Sequence, residues 1–261
     1  SYRKDLLKEV PKTWNDVIDM AKQGKVAVPA IPIDLLMNFY TFCIAHGQEP
    51  FQTEEEVIDR ETGILAINTM KELYSLVDRN MFTCNPIAVA ELMSSTNDYW
   101  YCAFAYCYSN YSRTGFAEYL LNYTDVVSFN NTKLRTTIGG TGLSVSAFSK
   151  HKEVAIDFAA MAVSGECQRT IYVQNDGQPG HRSAWLDEKA NQLTNDFFKQ
   201  VLPIMDNGYM RPRYNGYLHF QDNAGNPLQQ CLMEDGDPAT ALNEMNKIYQ
   251  QSLSKQLTGS L

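Results

Sequence analysis

Between Pro11 and Gly24 the chain reads PKTWNDVIDMAKQG, with Thr13 as an N-cap, Asp16 in the first turn and Gly24 as a stop, which predicts a short helix. KVAVPAIP predicts a short strand leading into a loop, and IDLLMNFYTFCIAHG is apolar almost all round. That second pattern belongs to a buried helix ending at Gly47, with Asp34 as its cap. In residues 60–80, Ile64, Ile67, Met70, Leu73, Tyr74 and Val77 return with a 3.6-residue period, an amphipathic helix; IAVAELMSS predicts a shorter one. The pattern then changes. DYWYCAFAYCYSNYSRTG predicts a buried aromatic strand running into a polar and aromatic loop, and DVVSF and KLRTT are further strand candidates. In LRTTIGGTGLSVSAFSKHKEVAIDFAAMAVSG a glycine-rich extended run precedes a helix that carries Val154, Phe158, Met161 and Ala162 on one face. ECQRTIYVQND reads as a helix closed by Gly177, and NQLTNDFFKQVLPIMDNG as another. DPATALNEMNKIYQQSLSK reads as the last, with Asp237 at N-cap and Pro238 at N1. Helices joined by short strands point to α/β architecture.

The 261 residues are enough for one large or two modest lobes, and the pattern favours two. With 44% hydrophobic and 20% charged residues the chain has the composition of a folded globular protein. A net charge of -8, with no basic stripe, argues against a nucleic-acid partner. No apolar run reaches the length of a membrane span. The six cysteines show no CxxC and no Cys/His ligand spacing, so they read as buried free thiols; no metal and no cofactor is expected. Sequons at Asn110, Asn122 and Asn130 are triplets common by chance.

The glycines of GGTG lack the spacing of a P-loop or a dinucleotide fingerprint, and GLSVSA lacks that of a nucleophile elbow. The four histidines are scattered. TEEEVIDRE offers carboxylates for a carbohydrate-processing enzyme, the alternative to a non-catalytic protein, but reads first as a solvated acidic turn. What remains is aromatic residues among amides: Trp100, Tyr101, Tyr106, Tyr108, Asn110 and Tyr111, then GQPGHRSAW and RPRYNGY. Rings stack on the apolar faces of sugars while amides and guanidinium groups meet their hydroxyls, so a carbohydrate or similar polar ligand fits this mixture.

YRKDLLKEVPKTWNDVIDMAK resembles the opening Tyr-Asn-Lys-Asp-Leu and Pro-x-Thr-Trp segment of the family 1 extracellular solute-binding proteins, the receptors of ABC importers for sugars and related solutes. GGTGLSVSAFSKHKEVAIDFAAMAVSGECQ, GQPGHRSAW and DPATALNEMNK are similar to that family's Gly-Gly strand and following helix, its Gly-x-Pro loop and its closing helix, in the same order. The resemblance implies an α/β, type II periplasmic-binding-protein-like fold, mostly C-terminal lobe. Residues 1–135 and 189–261 would build that lobe, and 136–188 would belong to the N-terminal lobe through a hinge-crossing strand. It also implies a non-enzymatic, extracytoplasmic protein, periplasmic or a cell-surface lipoprotein, that closes on a solute and docks on ABC permease subunits. Tyr106, Tyr108, Asn110, Tyr111, Gly139, Gly140, Gln178 and Arg182 are the expected ligand contacts, the two glycines letting backbone approach the cleft. Family members carry roughly a hundred residues ahead of this match, so a fragment that self-associates through its uncovered apolar face is a further expectation.

Overall fold

The structure is a computed structural model that describes residues 1–254; Lys255, the end of the last expected helix, lies outside the described residues. Helix α1 (Trp14–Lys22) begins as the sequence implies. Thr13 Oγ1 accepts from the Asp16 amide at 3.2 Å, and Asp16 Oδ2 accepts from the Thr13 and Lys12 amides at 2.8 and 2.9 Å. Helix α2 (Pro32–Ala45) starts earlier than its apolar run: Ile31 is the N-cap and Pro32 takes N1, where its missing N–H costs nothing. Asp34 is therefore not a cap. It lies in the first turn, 3% exposed, among the buried residues of that helix.

Asp59 caps α3 (Arg60–Tyr74), and Asn85 caps α4 (Pro86–Ser95). The strand expected at residues 25–32 is reduced to a single bridge and the aromatic segment to two bridges, both at Tyr101, because each meets its neighbours at only one or two residues. Tyr2 bridges Tyr101 and Asn122 antiparallel, and Val26 bridges Tyr101 in parallel, giving the order Asn122, Tyr2, Tyr101, Val26. The end of DVVSF forms β1 (Ser128–Phe129), and β2 (Thr132–Lys133) takes only Lys133 from KLRTT. Asn130 and Asn131, at φ 47° and 63°, form the left-handed turn that a two-residue hairpin requires. The core around this rudimentary sheet is aromatic. Trp14 meets Phe42 edge-on at 4.9 Å, and Phe51 meets Phe220 and Tyr249 at 5.4 Å each.

The glycine-rich run bridges the main body at one point, Thr137 to Tyr209, and LSVSAF forms no strand. It leads to α5 (Lys152–Ala162), none of whose residues is buried. Val154, Phe158 and Met161 are 70%, 62% and 48% exposed, and Phe148 is 94% exposed, so the apolar face read from the sequence exists but lies largely in the open. The next helical stretch starts as α6 (Gly165–Cys167) and loosens into a π-turn over Gln168–Tyr172. It is Asp176, at φ 66°, that takes the left-handed closing conformation expected of Gly177. Gly177 is needed for room, since a side chain there would strike the Tyr172 ring.

From α7 (Arg182–Trp185) the chain rejoins the main body, where Trp185 packs on Phe198 at 5.3 Å. The single helix expected over 191–208 is two, α8 (Glu188–Leu193) and α9 (Phe197–Asn207), because Asn195 and Asp196 both adopt positive φ. Helix α10 (Tyr217–Glu234), which the sequence reading leaves unassigned, crosses the start of α2. A Cβ on Gly225 would overlap the Pro32 carbonyl, so glycine sets the separation of the two helices. Asp237 caps α11 (Pro238–Ser254), its carboxylate accepting from the Thr240 amide at 3.1 Å.

Candidate functional site

Between the main body and residues 136–181 lies a cavity of about 1200 Å³. Met37 and Asn38 of α2 and residues 101–108 form one wall, α9 contributes Val201, Ile204 and Met205, and residues 136–143 with Phe158 and Met161 of α5 form the opposite side. Tyr106, Tyr108, Gly139, Gly140 and Gln178, five of the expected contacts, come together there. The other three lie elsewhere. Tyr111 is buried in the core, its hydroxyl donating to Glu91 Oε1 at 2.6 Å and its ring edge-on to Phe116. Arg182 forms a two-pronged, exposed pair with Asp206, which lifts its guanidinium above its ordinary range through the carboxylate's hydrogen bonds. Asn110 sits within the 3-10 turn Ser109–Ser112, off the cavity wall.

Gln178 reaches the cavity but spends both ends of its amide on the loop opposite. Its Nε2 donates to the Cys107 carbonyl at 3.0 Å and its Oε1 accepts from the Ser109 amide at 2.9 Å. It clamps Tyr106 and Cys107, whose φ of 55° each is costly for residues other than glycine. Arg113 adds a second tie, donating to the Val173 carbonyl at 2.9 Å. Gly139 and Gly140 both line the cavity, and among the described residues neither is packed against other protein atoms. A Cβ on Gly140 meets nothing, and one on Gly139 comes no closer than 3.8 Å to Arg211 Nη2. The close approach at this crossing belongs to Gly208, where a Cβ would overlap the Ile138 side chain.

Two polar residues not among the expected contacts belong to this region, Asn38 on the cavity wall and Asp34 behind it. Asn38 donates to the Tyr74 hydroxyl at 2.8 Å, and Asp34, one helical turn earlier on the same face, is buried beside Tyr106. Burial pushes the Asp34 carboxyl up to about 7, partly opposed by the neighbouring Tyr106 hydroxyl; its Oδ2 has no hydrogen-bond partner among the described residues. Burial, with the Asp34 charge next, in turn raises Tyr106 above its ordinary range. The signal was present in the sequence as a lone carboxylate inside the apolar run IDLLMNFY. Trp185 closes one end, its indole donating to the Pro179 carbonyl at 2.8 Å.

The acidic turn does not reach this cavity. Glu54 and Glu55 are exposed, and their carbonyls accept from Gln250 Nε2. Asp59 caps α3, and the amides and hydroxyl there hold its carboxyl below the usual range. His46 pairs with Thr69 Oγ1 at 2.9 Å, and His181 Nδ1 with Ser183. No group of three or more potential metal ligands occurs among the described residues, and all six cysteines are free.

A cavity bounded by one sheet-centred body and a segment that leaves and rejoins it is the arrangement of a two-lobed binding protein. Residues 1–192 match the family of bacterial extracellular solute-binding proteins, and the chain belongs to that family. Its fold is that of the type II periplasmic binding proteins. Maltose-bound MalE3 of T. maritima superposes with a TM-score of 0.78 at 17% identity, over 95% of this chain and 68% of that one. The solute-binding protein of Agrobacterium radiobacter K84 in complex with ribitol gives 0.77 at 18%, over 96% and 68%. MalX of Streptococcus pneumoniae with maltopentaose gives 0.73 at 19%, over 96% and 70%. No curated protein matches the chain in sequence. No helix among the described residues is long and apolar enough to cross a membrane.

Proposed function

We propose that this solute-binding protein takes a neutral sugar or polyol between Tyr106, Tyr108 and the backbone of Gly139 and Gly140, and delivers it to the membrane subunits of an ABC importer. The observation that carries the reading is the 1200 Å³ cavity itself, whose wall brings the aromatic loop opposite the glycine-rich run. Rings supply stacking faces, and the amides of residues 139–142, which lie in no helix or ladder, are donors for hydroxyls. Among the residues lining it there is no Lys or Arg side chain, which disfavours a phosphate or carboxylate ligand. The maltose, maltopentaose and ribitol bound by the structural neighbours favour the same class.

In this reading residues 1–135 and 189–254 form one lobe and 136–188 part of the other, hinged where Thr137 bridges Tyr209. The part of the α5 face outside the cavity, at Val154, is then a packing surface of the second lobe, and the protein works outside the cytoplasm, in a periplasm or as a cell-surface lipoprotein. Closure of the lobes on the solute is the binding step and no covalent chemistry is required. Titration calorimetry with maltose, maltopentaose and ribitol tests the ligand. Binding that Tyr106→Ala weakens by about 1 kcal/mol or more is expected, since the partners of a lost hydroxyl stay buried and unpaired. A parent protein that ignores all three compounds, or binds an anionic solute instead, would overturn it.

A further inference from the structure

The polar groups behind Tyr106 are not accounted for by folding alone. Asp34 is 3% exposed and, among the described residues, its Oδ2 has no hydrogen-bond partner, so the cost of its burial is offset only in part, by the Tyr106 hydroxyl. Met37 and Asn38, three and four residues further along α2, line the cavity, and so does Tyr106, the residue beside the carboxyl. Arg211 is near enough for its charge to act on the Tyr106 hydroxyl, while its Nη1 donates to Gln221 Oε1 at 2.6 Å. Tyr106 stands beside the Asp34 carboxyl, in the strained backbone that Gln178 clamps.

We propose that Asp34 is the hydroxyl-accepting anchor of the cavity: a neutral polyhydroxylated ligand turns the Tyr106 ring aside and donates an O–H to Asp34 Oδ2. The assignment rests on the sugar or polyol reading above and deepens it. A carboxylate takes hydroxyl protons through its free lone pairs, so a buried, unpartnered Oδ2 selects a ligand that can donate an O–H. Because the Asp34 carboxyl titrates at about 7, its ionised form grows from a minority to a majority between about pH 6 and about pH 8. The groups facing it are Tyr74 of α3, Cys102 of the central extended segment, and Tyr106 and Tyr108 of the loop, with the Arg211 charge acting on Tyr106. From α10, Gly225 and Gln229, which approach the segment leading into α2, are neutral.

The test is carbon-13 NMR titration of the Asp34 carboxyl in the whole chain, without and with ribitol or maltose at saturation. Calorimetry on the parent, D34N and Y106F accompanies it at both pH values. The free carboxyl should titrate near 7, its midpoint should fall when either compound is present, and parent affinity should rise by up to about tenfold from the lower pH to the higher. D34N should bind several-fold more weakly and lose that rise, whereas Y106F should keep it; His181 also lines the cavity, and the D34N comparison removes anything it contributes. Parent binding that D34N reproduces in strength and pH profile, with an unmoved Asp34 midpoint, would overturn the anchor and leave the sugar-binding reading intact. A parent that binds neither compound overturns both, and capture of choline in preference to either overturns the hydroxyl assignment. If D34N does not fold, the carboxyl titration of the parent decides alone.

Discussion

At the scale of single residues, the Asp34 carboxyl also makes a prediction about stability. Its folded-state value of about 7 lies above the ordinary carboxylate value, so between about pH 4 and about pH 7 the folded protein holds a proton that the unfolded chain has released. The contribution of this group is fully present below the unfolded value and declines as pH rises to about 7. Asp34→Asn cannot ionise. The variant should match the parent near pH 4 and exceed it by roughly 1–3 kcal/mol near pH 8, as read from urea midpoints. A difference independent of pH would mean that the carboxyl is equally ionised folded and unfolded. The cap of α1 is the contrasting case, a polar group whose partners are all local. Thr13→Ala should cost about 1 kcal/mol with little pH dependence of its own, measurable in the same melts. Thr13 was legible because a cap is written within four consecutive residues. Asp34 was not, because the burial that defines it comes from α3 and the 101–108 segment, far along the chain.

At the scale of elements, the crossing of α10 over the start of α2 sets two known effects against each other. Alanine is a better helix former than glycine by about 1 kcal/mol, but a Cβ at position 225 would overlap the Pro32 carbonyl, and overpacking against backbone costs about 1–3 kcal/mol or more. The steric term should win, so Gly225→Ala is expected to lower stability by about 2 kcal/mol in chemical denaturation; a gain would mean that the helices separate freely. Gln178→Ala tests the loop clamp. Losing both hydrogen bonds should release the strained Tyr106 and Cys107 and speed amide exchange at Ser109, the donor to Gln178 Oε1. The apolar spacing of α10, from Tyr217 through Phe220, Ala224, Leu228 and Cys231, is helical, yet Gly225 and Pro227 interrupt it and mask the element in the sequence. Conversely, Asn195 and Asp196 divide a stretch whose apolar pattern reads as one helix, because left-handed backbone leaves no mark on hydrophobic periodicity.

At the scale of the whole molecule, the exposed face of α5 predicts association. Each large apolar side chain left in water forgoes roughly 1.5–3 kcal/mol of burial, so the chain on its own should form concentration-dependent oligomers in light scattering. Replacing Val154 and Phe158 by Ser should suppress them while leaving the urea midpoint within about 0.5 kcal/mol, since neither side chain is buried. A strictly monomeric parent would mean that the face is satisfied in another way. Residues close in sequence, through their caps, apolar periods and turn residues, determined most of the helices, the aromatic character of the cavity wall and, by the order of its segments, the resemblance to extracellular solute-binding proteins. Only the tertiary structure decided which aromatics face the cavity, because Tyr106, Tyr108 and Tyr111 are alike in sequence and differ only in what packs behind them. It likewise decided that Gln178 holds a loop, that Gly208 leaves room for the Ile138 side chain and Gly225 for the Pro32 backbone, and that Asp34 is buried without a full set of partners. Each of these depends on atoms brought together from distant parts of the chain, and such meetings are fixed by packing, which no local pattern records.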